Sequence, residues 1–128
     1  MWPFLFYIYG KARRLRSQFQ SLKKKNDFRR VYREGKSKAN RVFVMNVLPN
    51  HLKDNRVGIS VSKKVGNSVI RHRVARVVRE IMRLHWGELR RGYDIVIVAR
   101  TSAKDSDYKI FESAIQHLLK LHRLLDFE

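Results

Sequence analysis

Lys63 to Glu80 reads KKVGNSVIRHRVARVVRE: six Lys and Arg, one Glu, and Val or Ile recurring at helical spacing. At about 100° of turn per residue, Val74, Val77, Val78, Ile81 and Leu84 all fall within roughly 80° of Ile70. They form a continuous stripe suited to packing on a sheet. Arg76, Arg79, Arg83 and His72 gather on the opposite face, while Arg71 and Arg73 border the stripe. A merely solvated helix mixes signs, so that residues a turn apart attract. Here Glu80 is the only acid, the cations repel one another, and an anionic partner explains them better. Arg also favours forked hydrogen bonds to phosphate oxygens. Asn67 or Ser68 can cap the helix, and the first-turn N–H groups, with Lys63 and Lys64 beside them, make a phosphate seat. The Gly-Lys-Ser/Thr ending of a nucleotide-binding loop is missing.

Upstream, NRVGISVS (55–62) alternates, with Val57, Ile59 and Val61 on one face and Gly58, Ser60 and Ser62 on the other. That pattern predicts a strand covered on one side. NRVFVMNVLPN (40–50) reads as a strand ending at Pro49-Asn50, and the loop HLKDN (51–55) suits an antiparallel hairpin between the two. NDFRRVYREG (26–35) predicts a short helix capped by Asn26 and stopped by Gly35, with Phe28, Val31 and Tyr32 on one side. Downstream, the apolar run YDIVIVAR (93–100) reads as a central strand. DSDYKIFESAIQHLLKLHRLL (105–125) closes the chain as an amphipathic helix. Its stripe is Ile110, Phe111, Ala114, Ile115, Leu118, Leu121 and Leu125, with Ser106 or Asp105 as cap. The fold class is α+β: a small mixed or antiparallel sheet packed with about three helices.

The totals agree. A chain of 128 residues that is 44% hydrophobic has enough material for one cored domain. Lys and Arg number 29 against 11 acids, for a net charge of +18. That excess calls for a polyanion, with nucleic acid ahead of an anionic membrane surface. Cysteine is absent, which excludes disulfides and thiolate zinc sites and suits a cytoplasmic location. The opening MWPFLFYIYG is apolar but too short to span a bilayer, and KARRLRSQFQSLKKK follows it, so no acid precedes Asp27. Residues 1–21 read as a basic, aromatic-rich arm and 22–128 as a single α+β domain that binds nucleic acid, with no stable membrane association. His51, His85, His117 and His122 lack metal-ligand spacing and are expected at surface or boundary positions. Asp105 and Asp107 read as helix-start residues. No Ser-His-Asp set or carboxylate pair points to a protein catalyst.

GISVSKKVGNSVIRHRVARVVRE, together with LKKKNDFRRVYREGKSKANRVFV, closely resembles the bacterial ribonuclease P protein component over about residues 22–125. The resemblance implies an accessory subunit for a large catalytic RNA that removes the 5′ leader of precursor tRNA, with Mg²⁺ held mainly by the RNA. It implies the ribosomal protein S5 domain 2-like fold with a left-handed βαβ crossover. It makes the 22–128 domain RNA-binding and assigns RNA contacts to Lys63, Lys64, Asn67, Arg71, His72, Arg73, Arg76 and Arg79. A single-strand cleft for the leader, walled by the first helix, the sheet and the basic helix, would involve Phe28, Tyr32 and Asn46. The family's central Asn is His72 here, a frequent Lys is Ala75, and Asn46 replaces an aromatic found in some members. The competing reading is a structural protein that binds ribosomal RNA.

Overall fold

The computed structural model describes residues 20–125; the expected arm lies outside them except for Gln20 and Ser21. The elements run α1 (Lys25–Glu34), β1 (Lys36–Ala39), β2 (Phe43–Pro49), β3 (Arg56–Ser60), α2 (Ser68–His85), β4 (Tyr93–Ala99) and α3 (Tyr108–Leu121). Short 3₁₀ turns at Trp86–Glu88 and Thr101–Asp105 flank β4. The sheet order is β1-β2-β4-β3, antiparallel except for the parallel β3/β4 pair, which α2 connects.

β4 is central, as its apolar run requires, and it separates β2 from β3. The expected β2–β3 hairpin is therefore absent. The hairpin is β1–β2, folded by Asn40, whose Oδ1 accepts from the N–H groups of Val42 (3.1 Å) and Phe43 (2.9 Å). A strand buried on both faces takes the middle position, which leaves β3 near an edge. There Gln20–Leu22 pairs with it: Leu22 N donates to Val57 O at 2.8 Å and Val57 N to Gln20 O at 3.0 Å. The other edge, β1, is exposed along its whole length.

One sheet face carries Met45, Val47, Val57, Ile95 and Ile97 against α2 and α3, and holds most of the core. The opposite face carries Val96, Leu48 and Val98 beneath α1, packed with Leu22, Phe28 and Val31. Gly58 lies on this second face, buried under the Phe28 ring, so β3 is covered on both sides rather than one.

Helix ends and stripes shift from the sequence reading. Lys24, not Asn26, holds the N-cap position of α1, which places Asp27 in the first turn where the helix dipole favours an acid. Gly35 ends α1 at φ −77°, and a Cβ there would stand 2.5 Å from the Val31 carbonyl oxygen. Asp107, rather than Ser106 or Asp105, caps α3 by accepting from Ile110 N at 3.0 Å. On α2 the buried side is Val74, Val78, Ile81, Met82 and His85, with Ile70, Val77 and Leu84 only partly covered. The stripe is turned by roughly 60° because α2 packs against both β3 and α3, not a sheet alone. His85 is correspondingly inside rather than at the surface: Gln116 donates to its Nε2 at 3.3 Å and its Nδ1–H donates to Glu88 at 3.1 Å. On α3, Leu119 is buried while Ile110 and Leu121 are exposed, and Leu124, just past the helix, is buried as well. Phe111 of this helix meets Phe43 edge-on, with ring centroids 5.3 Å apart.

Candidate nucleic-acid interface

The basic residues of α2 divide into tethered and open groups. Asn67 Oδ1 accepts from Ile70 N at 3.0 Å, so this side chain is the helix cap. Lys63 and Lys64 are exposed in the turn before it, at the end of the sheet where β3 finishes. Arg73 Nη2 donates to the Lys104 carbonyl at 3.1 Å, which pins its guanidinium against the 3₁₀ turn after β4. Arg71 is half-buried, and its Nε is enclosed with no acceptor among the described residues. Arg79 is also half-buried, whereas His72 and Arg76 are exposed. Val69, 75% exposed, joins His72, Arg73 and Arg76 around a shallow depression of about 390 Å³. An apolar surface beside three donor side chains suits a sugar or base edge with its phosphate.

On the opposite side of the sheet, register places Ala39, Val44, Val98 and Ser60 in one row, and Ser37, Asn46, Val96 and Gly58 in the next. α1 crosses the second row, with Phe28 over Gly58 and Val31 packed on Val96. The first row is left partly open. Val44, Val98 and Ser60 are half-buried and Ala39 is exposed. Tyr32 is 47% exposed, and its ring centroid is 6.4 Å from that of Phe28. About one helical step either side of Val31, Tyr32 and Arg30 occupy opposite flanks of α1. Arg30 reaches Asp94 at the far end of the sheet, so Tyr32 faces the open row. Asn46 is 7% exposed in the floor. The structure thus brings Phe28, Tyr32 and Asn46 together on one face.

An ion-pair network fixes α1 at that distance. Asp94, with a fully buried side chain, accepts from Arg56 Nε at 2.8 Å and Arg56 Nη2 at 2.7 Å. Asn50 adds a 3.0 Å bond, and Arg30 of α1 lies 3.5 Å away. Burial pushes the Asp94 carboxyl upward, but the hydrogen bonds from Arg56 and Asn50 and the charges of Arg56 and Arg30 outweigh it and hold it below its ordinary value. The network is structural. Among the described residues no group of three His, Cys, Asp or Glu side chains is placed to hold a metal ion, and no helix is long and apolar enough to cross a membrane.

The sequence model of the family described as Ribonuclease P matches residues 16–123. The chain belongs to the ribonuclease P protein family. It is 52% identical over 106 residues to the ribonuclease P protein component of Lachnoclostridium phytofermentans, covering 83% of this chain and 91% of that one. The RNase P protein of Staphylococcus aureus superposes with a TM-score of 0.78 at 37% identity, covering 83% and 97% of the two chains. That of Thermotoga maritima gives 0.74 at 32% identity, covering 80% and 96%. As a ribonuclease P protein component the chain is a subunit of a ribonuclease complex with an RNA partner, and the ribosomal alternative is set aside.

α1 and α2 pack on opposite faces of the sheet, so the open row beside Tyr32 is bordered by the first helix and the sheet, and α2 does not line it. The helix contributes only through the turn carrying Lys63 and Lys64, next to Ser60. Sequence reasoning missed the floor residues Ala39, Val44, Ser60 and Val98, and missed β1 entirely. KSKA carries no apolar alternation to announce a strand. Asn40 as an Asx turn ahead of an apolar run was the available signal.

Proposed function

We propose that this chain binds a catalytic ribonuclease P RNA through the exposed face of α2, using Lys63, Lys64, Arg71, His72, Arg73, Arg76 and Arg79. In this reading the cleft beside α1 holds the 5′ leader of precursor tRNA against Phe28, Tyr32 and the Val44–Val98 floor. Its bases stack on the aromatics, and their phosphates run toward Lys63 and Lys64. The RNA partner, with its Mg²⁺, cuts the leader from the tRNA. The protein's work is to bind and orient, in the bacterial cytoplasm.

The observation that carries this reading is the pairing of two surfaces on one small domain: a helix whose exposed face is cationic, and a half-open aromatic-walled sheet face. Arg side chains and first-turn N–H groups address phosphates without regard to sequence. Aromatic rings address unpaired bases and have no such use on a duplex. His72 keeps a donor where the family signature has Asn.

The test is cleavage of a precursor tRNA by a bacterial ribonuclease P RNA at low Mg²⁺, with and without the chain. Cleavage that requires both components is the expected result. Absence of any stimulation, with the chain folded, would refute the proposal.

A further inference from the structure

The cationic surface does not stop at α2. The strand ends Ala39, Phe43, Ala99 and Ser60 all lie at one end of the sheet. Beyond that end, hydrogen bonds knit two loops and α2 together. Arg73 of α2 holds the Lys104 carbonyl at 3.1 Å. Ser102 Oγ donates to Arg41 O at 2.6 Å. Arg100 Nη1 donates to Asn40 O at 3.1 Å. Arg41, Arg100, Lys104 and Lys109 are all exposed along this line.

The line ends in a groove between the β1–β2 turn and α3. Two adjoining depressions of about 400 and 320 Å³ share Arg41, Val42 and Ile110 as lining. Each is of the size of a small-ligand cleft, about 300–1,000 Å³. The floor is apolar: Val42, Ala114 and Ile110, the last left 46% exposed. Asn40 fixes the wall, its Nδ2 donating to Ala114 O at 2.9 Å and to His117 Nδ1 at 3.2 Å. His117 is thereby oriented, with its Nε2–H left as a donor. Arg41 and Lys109 stand on the rim, and Asp105 is the one acid in the lining. Asp107, nearby, is engaged as the cap of α3.

We infer that this groove is a second RNA contact, which takes an unpaired stretch continuing from the strand or backbone held on α2. Bases would lie on Val42 and Ile110 beside the His117 ring, and phosphates would follow Arg41 and Lys109. Charge selects this occupant. A second copy of a chain with net charge +18 would meet a rim of its own sign, whereas a polyanion gains at every step. The inference rests on the proposed RNA-binding role of α2 and extends it around the end of the sheet.

The absence of cysteine makes a direct test available, because any introduced thiol is the only one in the chain. Ser113→Cys in the groove, Val69→Cys on α2 and Leu52→Cys in the far loop would each carry a photoreactive label. All three positions are exposed. Each labelled protein is irradiated with a bacterial ribonuclease P RNA and precursor tRNA. RNA adducts at 113 and 69 but not at 52 are expected. An adduct at 69 alone overturns the groove and leaves the function of α2 standing. Protein–protein adducts at 113 assign the groove to a second copy instead. No RNA adduct at either position refutes both readings. As an independent measure, Arg41→Ala with Lys109→Ala should flatten the slope of log affinity against log salt by about 1.4, the value for two single-strand phosphate contacts. An unchanged slope overturns the inference.

Discussion

Gly58→Ala tests the seat of α1 on the sheet. A methyl group there would stand 2.4 Å from Phe28 Cζ, 2.7 Å from Cε1 and 3.2 Å from Cε2. Carbon atoms rest about 3.5–4.0 Å apart, so the ring must retreat by more than ~1 Å. Phe28 cannot slide along the sheet without lifting α1, because Val31 is fully buried on Val96 one turn further along. Overpacking of this kind costs about 1–3 kcal/mol. Phe28→Ala alone empties the same space, and for a half-buried ring we expect about 2 kcal/mol, below the range for a fully buried one. With the ring gone, the methyl introduced by Gly58→Ala has room. The double variant should therefore be more stable than the sum of the single effects allows, by about 1–2 kcal/mol, as expected for residues in contact. Urea unfolding followed by circular dichroism measures all four proteins. Additive losses, or a Gly58→Ala protein as stable as the parent, would refute the packing argument. Gly58→Ala should also weaken binding of leader-bearing precursor tRNA more than binding of mature tRNA, since Phe28 and Tyr32 move with α1 while α2 does not.

Asp94→Asn should destabilise by about 3–5 kcal/mol, the cost of breaking a buried pair, measured by denaturant midpoint at neutral pH. Because the Asp94 carboxyl is held below 3.8, its contribution is complete above that pH and lost as pH falls through the lower folded value. The parent should therefore lose stability in acid more steeply than Asp94→Asn. At His122, burial, with some help from Lys38 and Lys36, outweighs the Met45 carbonyl and holds the imidazole below 6.5. The unfolded chain takes a proton near that pH and the folded chain does not. Stability is thus full above about 6.5 and declines as pH falls below it toward the lower folded value, and His122→Gln should remove that part of the decline. Arg76→Ala should leave stability within about 0.5 kcal/mol while reducing the salt slope of RNA binding by about 0.7–0.9 per lost phosphate contact. An unchanged slope in filter binding would remove Arg76 from the interface.

The sequence reading succeeded where periodicity was long and uninterrupted. Val74 to Ile81 announced α2, and the run from Ile95 to Val98 announced a strand with both faces covered. It failed where neighbours distant in sequence decide the outcome. Nothing local to NRVGISVS states that Phe28 will lie on Gly58, or that β4 will enter between β2 and β3. Met82 reads as off-stripe, and His85 as a boundary polar residue, until α3 is known to pack beside α2. The basic positions of the interface were legible as residue types, but their division was not. Arg73 tied to a carbonyl and Arg76 open to solvent look alike in one dimension. The floor of the cleft was hidden for a further reason: Ala39, Ser60 and Val44 have ordinary side chains and matter only through where α1 leaves them uncovered.

The two margins of the sheet are guarded by different means. At β3, the backbone of Gln20–Leu22 already occupies the hydrogen-bonding groups that another strand would seek. At β1, a four-residue strand, the guard is Lys36 and Lys38. Charges of this kind deter strand-on-strand growth between molecules. A covalently attached guard is indifferent to solvent, whereas an electrostatic one fades as ions shorten its reach, from about 10 Å at 0.1 M salt to about 3 Å at 1 M. Any self-assembly of the free protein should therefore start at β1 and be promoted by salt, and anions that neutralise its lysines should hasten it.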